Sequence, residues 1–114
     1  MTSGGEEEGN ADTTAPRTAP VDRVFGERRQ GYDLTEIRRV DGKLLRVRIH
    51  RDFYPHQSHA LVQVLTPAMT WTELTTEPAS AWHAATPSSS TSPAPLDHLA
   101  ERLFQRAEAI LRTE

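Results

Sequence analysis

The chain has no cysteine, which excludes a disulfide framework, a thiolate zinc or iron–sulfur site and a cysteine nucleophile. It also lacks any apolar run near the ~20 residues that a membrane-spanning helix needs. Its first residues, MTSGGEEEGN, put an acidic run where a secretory signal would carry a basic start and an apolar stretch. The expected location is therefore the cytoplasm, with no membrane partner. Hydrophobic residues make up only 36%, below the ~45–50% of an average globular chain counted with glycine, so part of the chain is expected to stay unfolded. A length of 114 residues leaves room for one domain.

A strong excess of one charge is missing too. Residues 1–31 hold four arginines against six acids, and residues 32–114 hold nine bases against ten acids, for a net charge of −3. Binding to phosphate backbones draws on Lys and Arg, so this balance weighs against a dedicated nucleic-acid binder, although a local patch can act within a neutral total. Catalytic motifs are absent as well. There is no G-x-S-x-G, the serines cluster at 88–92 where nothing rigid would hold a nucleophile, and no glycine-rich phosphate loop occurs. His50, Arg51 and Asp52 spell the HRD of kinase catalytic loops, but the partner motifs that give it meaning are missing. No enzyme activity and no cofactor are expected.

What is present divides the chain clearly. Residues 1–20 are rich in Gly, Glu, Thr, Ala and Pro and bury too little to offset the ~1–2 kcal/mol of backbone entropy lost per ordered residue, which makes them a disordered tail. In 21–31, Val21, Val24 and Phe25 are candidates for a short docked amphipathic turn, limited by Gly26 and Gly31. From Tyr32 to Ala85 the pattern is that of an antiparallel sheet. Leu45, Val47 and Ile49 alternate with Arg46, Arg48 and His50, the period of a half-buried strand. Asp41-Gly42 joins it to YDLTEIRRV as a hairpin. A two-residue turn would set Glu36 opposite Val47 on the inner face, so a three-residue turn is preferred, with Ile37 opposite Leu45 and Glu36 opposite Arg46 outside.

HALVQVLT carries apolar residues on both faces, as a central strand does, and MTWTELTT follows as a fourth strand by propensity. EPASAWHAA is ambiguous, with Pro78 able to open a helical turn that lays Trp82 on the sheet edge. Residues 86–94 read as a Ser/Pro-rich linker. Over 95–112, Leu96, Leu99, Ala100, Leu103, Ala107, Ile110 and Leu111 recur on one helical face, with Glu101, Arg102, Gln105 and Glu108 outside it. The expected fold is α+β: a small four-stranded antiparallel meander with a C-terminal helix packed on one face.

His50, Asp52, His56 and His59 are four potential metal ligands within ten positions. Their spacing matches no metal motif, and histidines in a polar connection are mostly solvated, so no metal is expected and a metal-dependent enzyme ranks last. Arg46 and Arg48 share an outward strand face with His50, and with Phe53 or Tyr54 at its end they form a candidate stripe for nucleic acid. The plainer reading is a solvated face of weak ion pairs. Trp71 and Trp82 read first as core and second as binding anchors. The candidate binding surface is thus Arg46, Arg48, His50, Phe53, Tyr54, Trp71 and Trp82.

The arginine-over-lysine usage, with the YDLT, DGKLLRV and WTEL texture between Tyr32 and Thr76, resembles small proteins of actinobacterial genomes and of their phages and plasmids. The resemblance covers less than half of the chain and implies an origin without an activity or any site residue. The expected function is a non-enzymatic binding or regulatory module acting through protein contacts, including self-association along an exposed strand. A weak nucleic-acid accessory role through the arginine stripe is the alternative.

Overall fold

A computed structural model describes residues 20–113. The disordered tail expected over 1–20 lies outside these residues except for Pro20. Among the described residues the chain forms β1 (Pro20–Arg28), β2 (Gly31–Val40), β3 (Lys43–Asp52), β4 (His59–Leu65), β5 (Trp71–Glu77) and α1 (Asp97–Arg112). Each strand pairs antiparallel with its sequence neighbours, in a single five-stranded sheet. The α+β meander with a C-terminal helix is as expected, but it has five strands instead of four. The segment expected as a docked turn is β1. Its side chains alternate with a period of two: Phe25 pairs with Leu34 and Arg23 with Glu36 on one side, Val24 with Thr35 on the other. Gly31 closes the β1–β2 hairpin at φ +146°, and a Cβ there would lie 1.9 Å from the Arg51 carbonyl oxygen, so only glycine fits.

The β2–β3 hairpin corrects the expected register. Val40 pairs with Lys43 and Glu36 with Val47, across a two-residue turn. Asp41 and Gly42 have φ of 52° and 78°, the pair of positive values that a type I′ turn requires. A three-residue turn would keep Glu36 outside. Glu36 is in fact buried on the inner face, where Arg23 Nε donates to its Oε1 at 3.0 Å and Arg38 Nε to its Oε2 at 2.7 Å. A carboxylate met by two guanidinium groups satisfies the requirement that a buried charge be paired.

The helix covers the inner face. Leu99, Leu103, Phe104 and Ala107 of α1 pack on Leu34, Leu45, Val47 and Val62 of the sheet. Phe104, absent from the expected stripe, belongs to it, and the Arg38 guanidinium lies 4.2 Å from its ring centroid. Two ion pairs fix the seat of the helix. Arg38 donates to both oxygens of Glu101 at 2.9 and 3.2 Å, and Arg102 donates to both oxygens of Glu77 at 2.7 Å. Arg23 of β1 also pairs with Asp97 at the start of α1, which ties the edge strand to the helix.

Between β5 and α1 the chain is held to the sheet by side chains of β2 and β3. It makes two 3-10 turns, Ala79–Ala81 and His83–Ala85. The buried Arg51 donates to the carbonyl oxygens of His83 and Thr86, and Tyr32 Oη donates to the Pro87 carbonyl at 2.8 Å. A short 3-10 turn, Ala94–Leu96, leads into α1.

Candidate functional site

With the helix on one side, the other face of the sheet stays open among the described residues. Cross-strand pairing arranges it in rows. Asp33, His50 and His59 form one row. Val24, Thr35, Arg48, Leu61 and Thr76 form the next, followed by Ile37, Arg46, Gln63 and Glu73. Leu65 and Trp71 close the face at the far end. The face has an apolar end and a polar end.

At the apolar end, the Arg46 guanidinium lies 4.3 Å from the Trp71 ring centroid, and its Nε donates to Gln63 Oε1 at 2.8 Å. Desolvation there, with Arg48 nearby, lowers the Arg46 pKa from its ordinary value. Ile37, Leu44, Leu61, Leu65 and Trp71 are half-buried without a covering layer. A cavity of about 420 Å³ between Arg39, Lys43, Leu44, Leu65 and Leu111 opens beside them.

At the polar end, a cavity of about 590 Å³ is lined by Arg28, Arg29, Thr35 and Arg48, together with Asp33, His50, Asp52 and His59. His50 sits between two carboxylates, its Nδ1 against Asp33 and its Nε2 3.4 Å from Asp52. Both nitrogens can donate together only when the ring carries two protons. Asp33 also accepts from Arg28 Nε. Asp52 accepts from the Tyr54 backbone N–H at 3.0 Å, which with His50 holds its carboxyl below the ordinary range. Partial desolvation at the cavity wall, with His50 and Arg48 alongside, lowers the His59 pKa against the opposing pull of Asp33.

The structure brings Arg46, Arg48, His50 and Trp71 onto this one face. Phe53 and Tyr54 are exposed just beyond the end of β3. Trp82 does not belong to the surface: it is 3% exposed, with its Nε1–H toward the Glu77 carbonyl. Of the histidine cluster, His50, Asp52 and His59 come together, whereas His56 stands beside Tyr54 with ring centroids 5.9 Å apart. Among the described residues, no group of three or more His, Asp or Glu side chains is arranged to hold a metal ion. Asp33 and Arg28 are the residues that sequence reasoning missed. The signal lay in the hairpin, since a two-residue Asp-Gly turn carries Asp33 opposite His50, while a three-residue turn sends it to the other face.

No family model, curated protein or solved structure matches the chain. Among the described residues no helix is long and apolar enough to cross a membrane.

Proposed function

We propose that the chain is a non-enzymatic binding or regulatory module that acts through protein contacts on the open face of its sheet. The observation that carries this reading is the uncovered set of half-buried side chains, Ile37, Leu44, Leu61, Leu65 and Trp71, with Arg46 laid over the tryptophan. Apolar area flanked by arginine and tryptophan is the composition of interface hot spots. The same face carries Arg28, Arg39, Arg46 and Arg48 with Asp22, Asp33, Asp52 and Glu73, so its net charge does not choose between a second copy and another partner. The partner surface this end suits is an apolar one with an acceptor for Arg46, on another polypeptide. Self-association would instead use β1, the edge strand among the described residues, where Val21 and Val24 are 59% and 56% exposed.

The test compares wild type with Ile37→Asp/Trp71→Ala in affinity capture from nuclease-treated host lysate, with melting curves and light scattering alongside. The expected result is a protein retained by wild type and lost from the folded, monomeric variant. Equal capture by both, or no capture by either, counts against the open face. A wild-type dimer that the variant preserves would assign the association to the strand edge.

A second reading, nucleic-acid contact, rests on the Arg46–Trp71 stack beside the exposed Arg48, because arginine and aromatic side chains on an open sheet suit single strands. Three phosphate contacts give a slope of log K against log salt of about −2 to −3, and replacing Arg46 and Arg48 by Ala removes nearly two units. No mobility shift with DNA or RNA at low salt would remove this reading.

A further inference from the structure

We propose that the cavity at the polar end of the open face is a binding site for a small phosphomonoester, with the phosphate held by Arg48 and Arg28. The site is separate from the apolar end that supports the protein-contact reading: neither Arg46 nor Trp71 lines it. Its volume of about 590 Å³ falls within the ~300–1,000 Å³ of small-molecule sites, so it holds more than a bare phosphate.

Charge sets the ligand class. Three guanidinium groups line the cavity against two carboxylates, and both carboxylates are already engaged. Asp33 accepts from Arg28 and faces His50 Nδ1, and Asp52 accepts the Tyr54 N–H and faces His50 Nε2. Arg29 and Arg48 are exposed and make no ion pair among the described residues. Arg28 uses its Nε–H on Asp33, leaving its terminal N–H groups for another acceptor. Guanidinium groups grip phosphate oxygens in a bidentate fork. Thr35 and His59 on the neighbouring strands add an O–H and a ring N–H at the cavity wall. The groups facing His59 are His50, Arg48 and Asp33; desolvation first, then His50 and Arg48, disfavour its charged form, and Asp33 favours it.

The test is titration of the full chain with inorganic phosphate, adenosine monophosphate and adenosine, followed by His59 ring resonances and calorimetry. Phosphate and the monophosphate should bind saturably and adenosine should not. The His59 titration midpoint should rise when the anion is bound, because the anion offsets His50 and Arg48. Arg48→Ala should weaken binding by roughly tenfold or more, the scale of one charge-assisted hydrogen-bonded contact. Arg46→Ala, outside the cavity, should leave binding unchanged. The proposal is overturned if His59 fails to respond to phosphate at low ionic strength, or if Arg46→Ala weakens binding as much as Arg48→Ala. It is also overturned if an oligonucleotide binds while phosphate and the monophosphate do not, which would give these arginines to nucleic acid.

Discussion

On the covered face of the sheet, Glu36 and Glu77 are buried carboxylates, and each meets two arginines: Arg23 and Arg38 for the first, Arg102 and Arg106 for the second. On the open face, Asp33 and Asp52 meet around a single histidine while Arg48 lines a cavity with no ion pair among the described residues. The covered face cannot leave a charge unmet, because desolvation there costs more than any single contact returns. Its ion pairs consequently act as registration points, setting where α1 lies on a core that apolar packing alone would let slide. The open face has water to solvate an unmatched guanidinium, so it can keep one in reserve for a ligand.

The strongest way to break this contrast is to place a carboxylate on each face. Leu103 is 0% exposed, and Leu61 is half-buried on the open side. Leu103→Asp loses its packing and buries an unpaired charge, a cost of about 4 kcal/mol or more, enough to unfold a domain of this size. Leu61→Asp should cost about 1 kcal/mol, since water reaches the new carboxylate. Circular dichroism melts of the pair check this, and equal melting temperatures would show that the helix does not cover the inner face.

Breaking one registration point should have the next largest effect. Glu77→Gln keeps one oxygen to accept from Arg102 but removes the other bond and the negative charge that Arg102 and Arg106 meet, and about 1–3 kcal/mol should be lost. The upper range for a broken buried pair is not reached because Arg102 is 44% exposed and returns to water. Asp33→Asn on the open face should change stability by under ~1 kcal/mol. Urea unfolding of both variants measures the difference.

The sheet-and-helix plan was legible because it rests on periodicity: Leu45, Val47 and Ile49 alternate, and Leu99, Leu103 and Ala107 recur at helical spacing. The first strand was not, because Gly26 interrupts it and its pairing with β2 supplies the order that local propensity withholds. The candidate site was half legible. Arg46, Arg48 and His50 follow from alternation within one strand. Asp33 and Arg28 join them only through register, and register turned on whether a buried Glu36 could be satisfied. Arg23 and Arg38 satisfy it from 13 residues before and 2 residues after in the chain, a convergence that no single-strand pattern displays. Trp82 reads equally well as anchor or core until the fold buries it.

Acid should separate the two faces in order. His59 on the open side has a pKa below its ordinary value, so the folded state binds fewer protons there than the unfolded chain, and stability declines as pH falls through about 6.5. Glu77, held low by its bonds from Arg102, and Asp52, held low by the Tyr54 N–H and His50, act later. Their contribution is fully present above the ordinary carboxylate range and is lost as pH falls below about 4.5. Denaturant midpoints between pH 7.5 and 3 should show a shallow first decline and a steeper second one. His59→Gln should remove the first decline, and Glu77→Gln should reduce the second.

The smallest effect is the most selective, because it separates two arginines of the same strand face. Arg46 lies over Trp71 and donates to Gln63, whereas Arg48 makes neither kind of contact among the described residues. A cation–π contact at a half-exposed site contributes ~0.5–1 kcal/mol, and an exposed, unpaired side chain contributes within ~0.5 kcal/mol either way. Arg46→Ala should therefore lower the midpoint of urea unfolding slightly and shift Trp71 fluorescence, since the guanidinium no longer covers the indole. Arg48→Ala should alter neither, or should raise stability slightly by relieving Arg46, whose charged form Arg48 disfavours. Equal losses from both substitutions would mean that Arg48 has a partner within the fold, and the open face would then hold no charge in reserve.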